Sequence, residues 1–117
     1  MVSVIIPALN EGATIRKVIQ RIRQAEPVME IIVVDDNSSD NTVSEALKEN
    51  ARVITSSRKG KGISMREGMI AASYNAIVYL DADIVTYPKN VISLLAGPIL
   101  NNEADFVKSY FDRQAGR

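Results

Sequence analysis

The 117-residue chain contains no cysteine and no histidine. The first absence excludes disulfides, thiolate metal sites and a cysteine nucleophile. The second removes Ser-His and Cys-His catalysis and the commonest transition-metal ligand, leaving carboxylates as the site chemistry, suited to hard cations such as Mg²⁺ or Mn²⁺. Net charge is also missing, with 14 basic side chains against 14 acidic ones. No global field therefore attracts nucleic acid or anionic membrane, no nucleic-acid partner is expected, and a charged ligand must be met by a local cluster. Aromatic residues make up only 5%. Long hydrophobic runs are lacking too. The stretch Val2 to Leu9 has no basic leader, is interrupted by Pro7 and ends at Asn10-Glu11, so it fails as a signal peptide or spanning helix. A cytoplasmic location is expected. The 46% hydrophobic and 24% charged residues describe one ordinary soluble domain, or part of one, over residues 1–117. A chain of this length buries roughly two thirds of its unfolded surface and needs no metal clip or bridge to hold a core.

Hydrophobic patterning alternates between two periods. Val2-Ser3-Val4-Ile5-Ile6 is a β-branched run closed by Pro7, and Ile15, Val18, Ile19 and Ile22 then recur at helical spacing until Pro27. Ile31-Ile32-Val33-Val34 is a continuous apolar strand pattern, covered on both faces, that delivers Asp35-Asp36 at its end. Turn chemistry from Asn37 to Thr42 offers Ser39 or Asp40 as a cap for a helix with Val43, Ala46 and Leu47 on one side. Val53-Ile54-Thr55 is a third strand. The basic loop Ser56 to Gly62 leads to Ser64-Met65-Arg66-Glu67, whose capping-box spacing predicts a helix from there to about Ser73, with Met65 and Met69 as core filler. Ala76-Ile77-Val78-Tyr79-Leu80 is a fourth strand ending in Asp81-Ala82-Asp83, and Val91, Leu94 and Leu95 mark a helix stopped by Gly97-Pro98.

This alternation predicts an α/β fold, a mostly parallel sheet with right-handed crossovers and helices on both faces, and ligands at the carboxyl ends of the strands. Ala104 to Phe111 reads as a fifth strand, and the chain stops six residues later with nothing to cover it. Such an uncovered edge predicts either a longer parent protein or self-association.

Polar residues fall where that architecture wants a ligand: Asn10-Glu11 after the first strand, Asp35-Asp36 after the second, Asp81 and Asp83 after the fourth. Two carboxylates beside one turn repel unless a cation or proton neutralises them, and a metal bridging to a diphosphate meets that need. Lys61, with Arg58, lies in a glycine-flanked loop able to answer the remaining phosphate charge. Each feature has a plainer reading: turn and cap residues for Asp35-Asp36, helix entry for Asn10-Glu11, solvated loop groups for Lys61 and the later aspartates.

Taken in order, Val4-Ile5-Ile6-Pro7-Ala8-Leu9-Asn10-Glu11, Ile32-Val33-Val34-Asp35-Asp36-Asn37-Ser38, Gly60-Lys61-Gly62 and Leu80-Asp81-Ala82-Asp83 resemble the nucleotide-sugar-dependent glycosyltransferases of GT-A fold. The resemblance spans nearly the whole chain. It implies a Rossmann-like nucleotide-binding domain, the N-terminal part of such an enzyme, that binds a UDP- or GDP-sugar with Mg²⁺ or Mn²⁺. By match it implies base and ribose contacts from Pro7, Ala8, Asn10, Glu11 and Asp36, Lys61 near base or diphosphate, Asp81 near the ribose and Asp83 on the metal. Acceptor recognition and any catalytic base lie in the family's later segments, so no catalytic residue is assigned. Some relatives add a later histidine to the metal, and this chain has none.

Two subfamilies compete. Phe106 to Arg113 with Ala115-Gly116-Arg117 resembles glucosyl-3-phosphoglycerate synthases, retaining enzymes that use UDP- or GDP-glucose, which implies hexose transfer to 3-phosphoglycerate. Asp81-Ala82-Asp83-Ile84 with Tyr87-Pro88 is similar to dolichyl-phosphate sugar transferases, which invert and use a lipid-phosphate acceptor. The first is preferred. Rival readings are a response-regulator receiver domain, suggested by Asp35-Asp36 and Asp81, and a nucleotide-binding fragment without catalytic activity.

Overall fold

The computed structural model describes residues 2–24 and 29–100, with side chains described as far as residue 96. The fifth strand expected over 104–111 and the helix end expected at Pro27 lie outside the described residues. Four strands, β1 (Val2–Ala8), β2 (Glu30–Asp35), β3 (Arg52–Thr55) and β4 (Ala76–Tyr79), alternate with four helices, α1 (Ile15–Arg23), α2 (Thr42–Lys48), α3 (Lys61–Ala71) and α4 (Val91–Leu100). All strand pairs are parallel, in the order β3-β2-β1-β4. The expected α/β architecture is what is found.

Residues alternate between sheet faces with period two, and here both faces are apolar. Val4, Ile6, Ile31, Val33 and Val78 join the core formed with Ile15, Val18, Ile19 and Ile22 of α1, Ala46 of α2 and Val91, Ile92 and Leu95 of α4. Ile5, Ile32 and Val34 face the other way, with Ile77 and Tyr79 of the sheet and Ala71 of α3 packed against them. Helices therefore cover both faces. Each fully buried aliphatic side chain contributes on the order of 1.5–3 kcal/mol. A β-carbon on Gly68 of α3 would stand 2.4 Å from Ile5 Cγ2 and 2.9 Å from Val34 Cγ2. Glycine at this position is what lets α3 lie so close to β1 and β2.

Register aligns the strand ends. Ala8 pairs with Asp35 and Asp35 with Thr55, while Ile5 pairs with Tyr79 and the Leu80 N–H donates to Ile5 O at 3.0 Å. Extending that register brings Asp81 abreast of Pro7. The loops after β1, β2, β3 and β4 consequently open at one end of the sheet.

At the other end, the Glu30 carboxylate accepts from Ser3 Oγ at 2.8 Å, Ser73 N at 2.7 Å and Ser73 Oγ at 2.8 Å. Arg52 stands 3.8 Å away. This cluster ties the starts of β1 and β2 to the loop that follows α3.

Three helix details depart from the expectations. α3 begins at Lys61, not Ser64, because Gly60 takes φ 125°, a conformation that ends the loop and that L side chains rarely adopt. Glu67 accordingly forms no capping box; its two carboxylate oxygens accept from Ser57 N at 3.1 Å each. The helix ends at Ala71, two residues short of Ser73, whose donors go to Glu30. α4 continues through Gly97-Pro98 to Leu100; proline's fixed φ is compatible with helical backbone, although it removes one helix hydrogen bond and crowds the preceding turn. Met69 and Leu47, expected inside, are exposed.

Candidate functional site

The four strand ends enclose a cavity of about 400 Å³, within the usual size for a small-molecule site. β1 and its loop contribute Pro7, Ala8, Leu9 and Glu11, and the residue after β2 contributes Asp36. Lys59, Gly60, Lys61 and Ser64 enter from the β3–α3 segment, and Asp81, Ala82 and Asp83 from the end of β4. Of the residues expected at the site, Pro7, Ala8, Glu11, Asp36, Lys61, Asp81 and Asp83 all line this one cavity.

Asn10 does not line it. With φ 53° it turns the chain in the left-handed region, which asparagine tolerates better than most residues. Its Oδ1 accepts from Ser39 N at 2.8 Å and Ser39 Oγ at 3.3 Å, while its own N–H donates to Ser38 Oγ at 2.9 Å. Further cross-links follow from Glu11 N to Thr42 Oγ1 at 2.9 Å and from Gly12 N to Asp40 Oδ2 at 3.0 Å. Asp40 also accepts from Thr42 N at 2.9 Å and from the Thr42 hydroxyl. That hydroxyl foremost, with the Gly12 and Thr42 amides, holds the Asp40 carboxyl below its ordinary range. Gly12 lies where the loops cross: a β-carbon there would stand 1.9 Å from Asn41 Oδ1, so the exposed Asn41 side chain would have to turn aside. These bonds set the position of Glu11.

The adjacent aspartates divide their work. Asp35, still in β2, is buried and accepts from Ser38 N at 3.2 and 3.4 Å, anchoring the turn. Asp36 faces the cavity. Its Oδ1 accepts from Ser56 Oγ at 3.0 Å and its Oδ2 from Gly60 N at 3.1 Å. Each oxygen keeps capacity for another donor, in an orientation already set.

Across the cavity, Lys61 Nζ lies 2.6 Å from Asp81 Oδ1. The Asp81 N–H donates to the hydroxyl oxygen of Tyr87 at 2.8 Å, and Tyr87 is fully buried. Thr14 Oγ1 donates to Ala82 O at 2.8 Å, so the start of α1 and the core both hold the 81–83 turn. Thr14 and Ser56 were not singled out in the sequence, and Tyr87 entered only through a subfamily resemblance, with no role in the site. The partners of Thr14, Ser56 and Tyr87 are 68, 20 and six positions away respectively, and only the fold brings them together. Leu9 and Lys59 were also missed, although their places beside Ala8 and Gly60 could have suggested them.

Residues 3–115 match the glycosyl transferase family 2. The chain belongs to that family. Among family relatives it is 35% identical to the glucosyl-3-phosphoglycerate synthase of Mycobacterium tuberculosis over 96% of this chain and 38% of that protein. Against the Petrotoga mobilis protein of the same name it is 34% identical over 96% of this chain and 39% of the other. The crystal structure of the M. tuberculosis synthase superposes with a TM-score of 0.79 at 32% identity, covering 88% of this chain and 41% of that one. A structure of the same enzyme in complex with Mn²⁺, UDP-glucose and phosphoglyceric acid also gives 0.79 at 32% identity, over 88% and 40%. The chain thus spans about two fifths of the length of these relatives. The fold is GT-A, as the resemblance implied, and family membership sets aside the receiver reading.

Among the described residues no three carboxylates, histidines or cysteines gather around a common point that could hold a metal ion. Asp81 and Asp83 nevertheless supply hard oxygen donors on one wall, and the ammonium of Lys61 occupies the side of Asp81 that a cation would neutralise. Such a set suits Mg²⁺ or Mn²⁺ only when a ligand brings further oxygens of its own. No described helix is long and apolar enough to cross a membrane.

Proposed function

We propose that this chain is the donor-binding part of a hexosyltransferase that carries glucose from UDP-glucose to 3-phosphoglycerate, with Mn²⁺ or Mg²⁺ as cofactor. One observation carries the reading: Glu11, Asp36, Asp81 and Asp83, from three separate strand ends, face one cavity, with Lys61 opposed to them. Support for the sugar and acceptor comes from the names and bound ligands of the synthases similar to this chain. GDP-sugars and lipid-phosphate acceptors are the alternatives.

In this reading Asp36, held by Ser56 and Gly60, accepts from the base or ribose, and Asp81 accepts from the ribose. Pro7 and Ala8 form the floor of the nucleoside site. Asn10 acts by fixing the loop that presents Glu11. Lys61 moves from Asp81 to the diphosphate. A β-carbon at Gly62 would meet nothing within 4 Å, so the backbone beside Lys61 is open to a phosphate oxygen. Asp83, with Asp81, would hold the cation, which supplies Lewis-acid stabilisation of charge on the departing diphosphate.

Calorimetry on the full-length protein tests this with UDP-glucose and GDP-glucose, each with and without Mn²⁺. Metal-dependent binding that favours UDP-glucose, followed by UDP release only when 3-phosphoglycerate is added, is the expected result. Absence of nucleotide binding under every condition would overturn it.

A further inference from the structure

We infer that Ser64 is a nucleoside-positioning residue of the donor site, its hydroxyl bonding the ribose or base rather than the diphosphate. This rests on the donor-binding reading above and adds a residue that neither the motif pattern nor the acidic clusters point to. Ser64 is 0% exposed, yet its Oγ has no hydrogen-bond partner among the described residues. A buried hydroxyl left unpaired is costly, and native proteins seldom retain one without a use. It lines the cavity, where it is the sole hydroxyl among the lining side chains. The carboxylates of Glu11, Asp36, Asp81 and Asp83 can only accept hydrogen bonds and the lysines can only donate. Ser64 can do both.

Its position selects the nucleoside half. The first turn of α3 straddles the site, with the Gly60 N–H on Asp36 at one side and the Lys61 ammonium on Asp81 at the other. Ser64 lies one turn further, its N–H bonded to Gly60 O at 3.1 Å. The next buried residue on that face, Gly68, touches Ile5 of β1 and Val34 of β2. Ser64 therefore borders the cavity on the helix face that runs from Gly60, bonded to Asp36, toward Gly68, packed on β1 and β2, and this is the side on which the donor-binding reading seats the nucleoside. Rotation about χ1, serine's one side-chain torsion, turns the shielded hydroxyl toward a ligand seated there.

The test compares wild type with Ser64→Ala and Ser64→Cys in the full-length protein, by calorimetry with UDP plus Mn²⁺ and, separately, with pyrophosphate plus Mn²⁺. Both substitutions should weaken UDP binding about three- to tenfold, the value of one neutral hydrogen bond, and leave pyrophosphate binding unchanged. Thermal melting of Ser64→Ala should be unchanged or higher, since the variant removes an unpaired buried hydroxyl. Equal UDP affinity in wild type and both variants would overturn the inference, as would an equal loss toward pyrophosphate. A wild type that binds pyrophosphate and metal but not UDP would instead sink the donor-site reading on which the inference stands.

Discussion

Lys61 Nζ sits 2.6 Å from Asp81 Oδ1, joining the first turn of α3 to the end of β4. Both side chains are partly exposed, 57% and 27%, so the pair contributes at most about 1 kcal/mol to folding. In the donor-binding reading its importance is to the ligand. An ammonium that leaves a carboxylate for a diphosphate exchanges one charge-assisted bond for another, and its removal takes one charged partner from the phosphate. Lys61→Met is expected to shift the melting temperature little and to weaken UDP binding about 10- to 100-fold, the range for a hydrogen bond to a charged group. Calorimetry beside a thermal melt checks this, and an unchanged affinity excludes Lys61 from the donor site.

Gly68 carries a different kind of constraint. Alanine there would put its β-carbon 2.4 Å from Ile5 Cγ2, in a buried layer where neither partner is free to swing away. Overpacking of this kind costs about 1–3 kcal/mol, against about 1 kcal/mol gained in helix propensity. Gly68→Ala should therefore lower the urea midpoint. The displacement of α3 that relieves the clash also moves Gly60, Lys61 and Ser64, so UDP affinity should fall with it. A variant more stable than wild type would show that α3 is not pressed against the sheet.

Local pattern carried much of this fold. The i, i+3, i+4, i+7 spacing of Ile15, Val18, Ile19 and Ile22 places all four in the core, and the apolar strands deliver Asp36, Asp81 and Asp83 to one end of the sheet. What stayed hidden was decided by backbone conformation or by distant partners. Ser64-Met65-Arg66-Glu67 has the spacing of a helix start, but Gly60 at φ 125° starts α3 earlier and Glu67 serves Ser57. Asn10 adjoins Glu11 in sequence, yet its side chain is spent on Ser39, 29 positions away. Residue patterning alone does not separate Asp35 from Asp36, although the resemblance implied a ligand role for Asp36 only; in the fold one holds the turn and the other lines the cavity.

Acid should find a weak point at the opposite end of the sheet. Burial raises the Glu30 carboxyl, but the hydrogen bonds from Ser73 N, Ser3 Oγ and Ser73 Oγ, with the charge of Arg52, outweigh it and hold the group below its ordinary value of 4.5. A lowered folded-state pKa means that the unfolded chain binds the proton more readily. Stability from this group is thus present above about pH 4.5 and is lost as pH falls through the folded-state value. Glu30→Gln should be less stable near neutrality and show a shallower decline between about pH 5 and pH 3. Urea unfolding across that range decides it, and parallel profiles for the two proteins exclude Glu30 as a source of acid sensitivity.

Tyr87 supports the aspartates from beneath. Its hydroxyl oxygen accepts the Asp81 N–H at 2.8 Å, and Arg21 Nε donates to the Tyr87 carbonyl at 2.6 Å. Phenylalanine keeps the buried ring and removes the hydroxyl, donor and acceptor together, so the part-buried amide at the start of the Asp81-Ala82-Asp83 turn loses its bond. Leaving such a donor unpaired costs about 1–3 kcal/mol, and the turn can escape part of that cost by moving outward. Movement there carries Asp81 and Asp83 with it, whereas Asp36 is anchored separately by Ser56 and Gly60. Tyr87→Phe is therefore expected to fold, with a modestly lower melting temperature, and to lose the metal-dependent part of UDP binding more than the metal-independent part. Calorimetric titrations with and without Mn²⁺ separate the two. A uniform loss in both would mean that the tyrosine supports the cavity as a whole rather than its cation side.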